Sequence, residues 1–179
     1  MSNRIPRWRR AAVTAAAVLT GVAALTTTTS TASAAPSGKV RMIAMHSNKC
    51  LTADSSTQLG SRIAQQPCQA GNLRQLWEFK GDGFGNFQIR NAASQMCMQP
   101  ESLAASLVVQ RACNPNVNEQ FFRESMAPLN GNIVSRWRHL SSGLYLDVSG
   151  GTPNNGDRLI TFPFKDVLNQ RFDHIVVSP

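Results

Sequence analysis

Four cysteines, three histidines and ten acidic residues carry most of the reactive chemistry in this 179-residue sequence. The cysteines are Cys50, Cys68, Cys97 and Cys113. A zinc site wants close pairs such as C-x-x-C, and none occurs. An even number of cysteines in an exported chain favours disulfides, and three pairings are open. Bridging consecutive cysteines would close two short loops, each worth roughly 3 kcal/mol in the chain-entropy model. His46, His139 and His174 are far apart and show no ligand spacing, so neither a metal nor another cofactor is expected. Gly81-Asp82-Gly83-Phe84-Gly85-Asn86 looks like a glycine loop, but strand-like sequence follows it rather than a helix, so it reads as a hairpin turn and not a phosphate cradle. It also lacks the acidic spacing and closing glutamate of a calcium loop. There is no G-x-S-x-G nucleophile motif. Hydrolysis of a glycosidic bond needs two carboxylates placed across it, and the scattered acids suggest no such pair. The expectation is a protein that is not an enzyme.

The N-terminal segment reads as an export signal. Arg4, Arg7, Arg9 and Arg10 precede an uncharged, mostly apolar run over 11–25, and a small-residue stretch ends in Ala32-Ser33-Ala34. Basic, apolar, then A-x-A is the order of a secretory signal peptide. The apolar run is shorter than the roughly 20 residues a membrane-spanning helix needs. Residues 1–34 are therefore expected to be a signal peptide, 35–39 a short mature segment, and 40–179 the folded domain. Arg9-Arg10 also fits a twin-arginine signal, but the general route is preferred. The whole chain has 18 Lys and Arg against 10 Asp and Glu. Without residues 1–34 that excess halves, which is no basic stripe of the kind nucleic-acid modules carry. The expected product is secreted, not inserted in a membrane, monomeric, and without specific affinity for nucleic acid.

The elements that position any site recur along the exported part. Ser47-Asn48-Lys49-Cys50-Leu51 is matched by Ser94-Gln95-Met96-Cys97-Met98, and a cysteine-free version is Ser142-Gly143-Leu144-Tyr145-Leu146. Met42, Ile89 and Trp137 lie equally far upstream of the three anchors. Each copy closes on Gln, any residue, then an aromatic: Gln75-Leu76-Trp77, Gln120-Phe121-Phe122 and Gln170-Arg171-Phe172. The period is about 48 residues, in the range of repeat architectures. Short apolar runs separated by Gly, Asn and Ser clusters read as strands and turns, and no sustained helical period appears. The expectation is an all-β fold with threefold internal symmetry, its terminal aromatics plugging the core.

With these motifs the chain resembles the ricin B-type, or Q-x-W, β-trefoil lectins, which include carbohydrate-binding modules of secreted bacterial glycosidases. The resemblance covers about residues 40–179 and implies a twelve-stranded β-trefoil. It also implies disulfides within the repeats, Cys50–Cys68 and Cys97–Cys113. The third copy departs, with Tyr145 and Phe164 at the cysteine positions, where aromatic packing is expected to replace the bridge. In the family each repeat can supply a shallow sugar site. Its parts are an Asp two residues after the first cysteine, an aromatic plate two before the second, and an Asn just before the Gln. The first copy offers Thr52, Gln66, Arg74 and Gln75, with Asp54 out of register. The second offers Gln99, Arg111, Glu119 and Gln120, with Asn118 displaced by one. Only the third fills all the roles, with Asp147, Phe162, Asn169 and Gln170, although Ile160 replaces a polar residue of the family pattern. Recurrence of Gln75 and Gln120 in copies lacking the rest marks them as structural. The resemblance thus implies a lectin-like protein that binds an extracellular carbohydrate mainly through its third repeat. The alternative is a trefoil scaffold that binds a protein partner, such as an extracellular enzyme, without binding sugar.

Overall fold

The computed structural model describes residues 38–177; the expected signal peptide lies outside them. Alternation of apolar and polar side chains builds twelve short strands. These are β1 (Lys39–Ala44), β2 (Lys49–Ala53), β3 (Ile63–Gln66), β4 (Trp77–Gly81), β5 (Asn86–Asn91) and β6 (Cys97–Pro100). They continue with β7 (Val108–Arg111), β8 (Phe121–Leu129), β9 (Asn132–His139), β10 (Tyr145–Val148), β11 (Leu159–Phe162) and β12 (Phe172–Val177). In β1 the pattern is explicit: Val40, Met42 and Ala44 are buried while Lys39, Arg41 and Ile43 are not. The only helical pieces among the described residues are four single 3-10 turns, three of which end on Gln75, Gln120 and Gln170.

Every pairing is antiparallel. β1 pairs with β4, β4 with β5, β5 with β8, β8 with β9, β9 with β12, and β12 with β1, so six strands close into a ring. Closure leaves no edge strand in the barrel wall. The hairpins β2–β3, β6–β7 and β10–β11 lie outside the ring and touch one another through the bridges Arg62↔Val109, Ala64↔Arg158 and Leu107↔Ile160. A six-stranded barrel with three capping hairpins is a β-trefoil architecture. Gly81–Asn86 is the expected hairpin turn. Asp82 accepts from the backbone N–H groups of Phe84 (2.7 Å) and Asn86 (3.1 Å), while Gly83 and Gly85 take the positive φ angles it needs.

The core runs through barrel and cap together. Trp77, Phe122 and Phe172, the aromatics of the Gln-x-aromatic motifs, are fully buried, as are Met42, Ile89 and Trp137. The Trp77 indole N–H donates to the Leu51 carbonyl at 3.0 Å, tying barrel to hairpin. Disulfides join Cys50 to Cys68 and Cys97 to Cys113. At the corresponding place in the β10–β11 hairpin the Tyr145 and Phe164 rings pack with centroids 5.0 Å apart.

The sequence gives no sign of the polar cluster inside the barrel end. Glu124 accepts from the Ser135 hydroxyl and faces His174 Nδ1 at 3.4 Å. His174 Nε2 accepts the Trp137 indole N–H at 3.2 Å. An indole donates only, so a proton on Nε2 would set two donors against each other. Burial pushes the His174 pKa down to about 4, and burial raises that of Glu124. Because the unfolded chain takes up a His proton near 6.5 and the fold resists it, the histidine's contribution to stability is complete above pH 6.5 and is lost as pH falls toward 4. The raised Glu124 pKa acts in the opposite sense, so the two are separated by substitution. Between pH 7 and pH 4 the wild type should lose up to about 3 kcal/mol more than His174→Gln in guanidinium denaturation.

Candidate functional site

The site forms where hairpin β10–β11 meets the 3-10 turn Leu168–Gln170. Asp147 lies on β10 opposite Ile160 on β11, and Tyr145 lies opposite Phe162. A cavity of about 360 Å³ opens there, lined by Asp147, Gly150, Gly151, Ile160, Phe162, Lys165, Val167 and Asn169 among others. Three of the four residues singled out in the sequence, Asp147, Phe162 and Asn169, thus share one cleft. The fourth, Gln170, is fully buried behind it.

Asp147 is 4% exposed, and an ionised carboxylate at that depth needs donors. It has two. Asn169 Nδ2 donates to Oδ1 at 2.8 Å and Gln170 Nε2 donates to Oδ2 at 2.9 Å. The second amide hydrogens go to the carbonyls of Val148 and Pro163, both at 2.9 Å. Gln170 Oε1 accepts the backbone N–H of Lys165 at 2.9 Å, which fixes the orientation of its amide. Each carboxylate oxygen keeps acceptor capacity, and Asn169 Oδ1 accepts from none of the described residues. Burial raises the Asp147 pKa, opposed by the Gln170 and Asn169 hydrogen bonds and by the charge of Lys165.

The same glutamine fork occurs twice more. Gln75 Oε1 accepts from the Gln69 N–H (2.7 Å), and Gln75 Nε2 donates to Pro67 O (2.8 Å) and Thr52 Oγ1 (3.1 Å). Gln120 Oε1 accepts from the Asn114 N–H (2.7 Å), and Gln120 Nε2 donates to Ala112 O (2.8 Å) and Gln99 Oε1 (3.0 Å). The fork therefore pins a loop to a hairpin whether or not a carboxylate stands at its tip. Clefts of about 340 and 370 Å³ lie there too, the first holding Thr52, Asp54, Gln66 and Arg74, the second Gln99, Arg111 and Glu119. Neither has a buried carboxylate or an aromatic wall. Asp54 faces Arg62 at 3.8 Å instead of the Gln75 fork.

Lys165 is the residue the sequence motifs did not single out. Its ammonium lies 4.6 Å from the centre of the Phe162 ring. At an exposed position such a contact is worth about 0.5–1 kcal/mol. The available signal was its place just after Phe164, at the end of the hairpin. The other two histidines make local contacts: His139 is buried, its ring nitrogens 2.7 Å from Ser142 Oγ and 3.0 Å from Glu119 O, and His46 Nε2 contacts Thr152 O at 3.1 Å. No group of three or more His, Cys, Asp or Glu side chains gathers as a metal site among the described residues.

A closed six-stranded barrel capped by three hairpins defines the fold class, a β-trefoil. The chain belongs to the ricin-type β-trefoil lectin domain family, whose family model matches residues 36–172. No curated protein matches the sequence. Among solved structures it is similar to the designed 3-fold symmetric protein ThreeFoil (TM-score 0.70, 20% identity, 78% of this chain and 99% of that one). It is also similar to the ricin B-like lectin of Macrolepiota procera solved in complex with lactose (TM-score 0.62, 16% identity, 78% and 95%). A third likeness is to an exo-beta-1,3-galactanase from Clostridium thermocellum (TM-score 0.69, 18% identity, 80% of this chain), of which the chain covers 31%. At these identities the likeness is one of fold.

The geometry separates the two duties of the fork. Gln75→Ala and Gln170→Ala should each cost about 1–3 kcal/mol in denaturant melts, the loss expected for stranding buried polar partners. Only Gln170→Ala should also free the Asp147 carboxylate, visible as a lower Asp147 side chain order in NMR carboxyl spectra; equal carboxyl spectra in both variants would contradict that division.

Proposed function

We propose that this protein is an exported, non-catalytic carbohydrate-binding protein that holds a sugar in the Asp147 cleft. Membership of the ricin-type lectin family supports carbohydrate binding. The observation that carries the choice of cleft is the buried Asp147 carboxylate, braced by two amide donors and still open on the cavity side. A pyranose presents hydroxyls at its edge and C–H groups on its face. Two neighbouring hydroxyls donate to the Asp147 oxygens, a further hydroxyl donates to Asn169 Oδ1, and the C–H face lies on Phe162. Gln170 acts through Asp147 and is a positioning residue. Ile160 gives the sugar an apolar neighbour with no hydroxyl partner.

Export rests on the order of basic, apolar and small residues in 1–34 and on the two disulfides, which persist in oxidising compartments. No helix among the described residues is long and apolar enough to cross a membrane. The clefts at Thr52 and Gln99 lack the carboxylate, so one sugar per chain is the expected stoichiometry. A single shallow site gives a dissociation constant near roughly 1 mM, about −4 kcal/mol.

Titration calorimetry of the mature chain against a glycan identified by array screening tests this. Asp147→Ala should abolish the heat of binding with the circular dichroism unchanged, Phe162→Ala should weaken it, and Thr52→Ala and Gln99→Ala should leave it as it was. Equal losses in all four variants would refute the assignment, and so would a stoichiometry near three. The pH dependence gives a second check. Sugar hydroxyls need the ionised carboxylate, so binding disappears as Asp147 takes up a proton. Since burial raises that pKa above the ordinary 3.8, affinity should start to fall at a pH higher than an exposed aspartate would allow. An affinity flat down to pH 4 would show that Asp147 takes no part.

A further inference from the structure

The Asp147 cleft contains a cation that the reading above leaves without a task. Lys165 lines the cavity together with Asp147, Phe162 and Asn169. Its backbone is fixed, because its N–H is held by Gln170 Oε1 at 2.9 Å. Its ammonium is not: among the described residues Nζ makes no hydrogen bond and no ion pair within 4 Å, and its neighbour is the Phe162 ring, 4.6 Å from the centroid. Asp147 makes no ion pair with it within 4 Å, although the two charges act on one another across the cleft. The next residue differs: Asp166 is paired with both Arg136 and Arg171 and is unavailable to the cleft.

A neutral sugar would gain little from this arrangement. To lie on Phe162 it would displace the ammonium from the ring, and in return a hydroxyl oxygen would accept one of the three ammonium hydrogens. A sugar carrying an anionic group returns more, because the ammonium then meets an opposite full charge as well as a hydrogen-bond acceptor. Asp147 and Lys165 both line the cleft with no ion pair between them within 4 Å, so one ring can present hydroxyls to the first and an acid group to the second.

From this geometry we propose that the cleft selects acidic sugars, with Lys165 the residue that reads the anion, a carboxylate or a sulfate. This specificity rests on the assignment of the Asp147 cleft as the sugar site. Lys165 sets the charge of the ligand, and Asp147 with Asn169 sets its hydroxyl pattern. The cleft at Gln99 and Arg111 is no substitute, because it has no buried carboxylate to orient the ring.

The experiment uses matched methyl glycosides that differ only in the acid group: galactose with galacturonic acid, glucose with glucuronic acid, mannose with mannuronic acid, and galactose with its 6-sulfate. Binding to the mature chain is measured by calorimetry or by NMR titration at low salt. At least one acidic member should bind about five- to tenfold more tightly than its neutral partner, with the advantage shrinking as salt screens an exposed pair. Lys165→Met should erase that preference, bringing each acidic glycoside to the affinity of its neutral partner. Lys165→Arg should keep it. The uronic acids and the sulfate separate the two sources of negative charge. Neutral and acidic partners binding alike would overturn the proposal, and so would a preference that survives in Lys165→Met. Binding of none of the glycosides, neutral or acidic, in a folded sample would overturn the sugar site itself and this specificity with it, whereas neutral and acidic partners binding alike overturns only the choice of charge.

Discussion

A buried primary amide has two hydrogens and one strong acceptor oxygen, and each of Gln75, Gln120 and Gln170 commits all of them to separate pieces of chain. The oxygen takes a backbone N–H from the loop before the 3-10 turn, one hydrogen goes to a carbonyl near the end of a hairpin, and the other goes to a side chain in that hairpin's first strand. Loops that would otherwise leave polar backbone unsatisfied under the cap are sewn to the strands beside them. The aromatic two residues on then has only one way to go, into the barrel. The second amide hydrogen of each fork is the one that goes to a side chain, and the proposed function enters there. Thr52, Gln99 and Asp147 all complete the same fork, and only Asp147 brings a charge to the surface of a cleft.

That charge explains the rest of the site. An aspartate 4% exposed is tolerable because two amides donate to it, and the same amides leave its other lone pairs facing the cavity. The carboxylate is thus both structural and available. The neutral residues at the other two forks keep the fold at lower electrostatic cost. Under the proposed function, stability and recognition are uncoupled at two of the three clefts and coupled at the third.

Much of this was legible in the sequence. Gln-x-aromatic spacing located the aromatics that fill the core, Met42, Ile89 and Trp137 marked barrel strands, and alternating residues with Gly and Asn turns set the all-β class. The cysteine positions, read through the resemblance, gave the pairing that the structure shows, and Tyr145 with Phe164 gave the packed pair in its place. What was not legible depends on contacts between residues distant in sequence. Glu124, Ser135, Trp137 and His174 form one buried cluster only because β8, β9 and β12 are adjacent. Lys165 over Phe162 depends on the path of a loop, which no spacing rule fixes. Gln65 is a third case: it looks like an ordinary strand residue, yet its amide donates to Thr152 O, Asn154 O and Asp157, locking one hairpin to the loop of another.

The pairing of β1 with β12 has one more consequence. Lys39 stands opposite Val177, while Ala44 stands opposite Phe172, next to the turn that carries Asn169. Both ends of the barrel chain therefore leave side by side, about 17 Å along the strands from the level of the cleft. The ring could equally be opened elsewhere: joining residues 39 and 177 by a short linker and cutting in the exposed turn at Gly83–Gly85 would give a permuted chain with the same barrel, the same forks and the same open face.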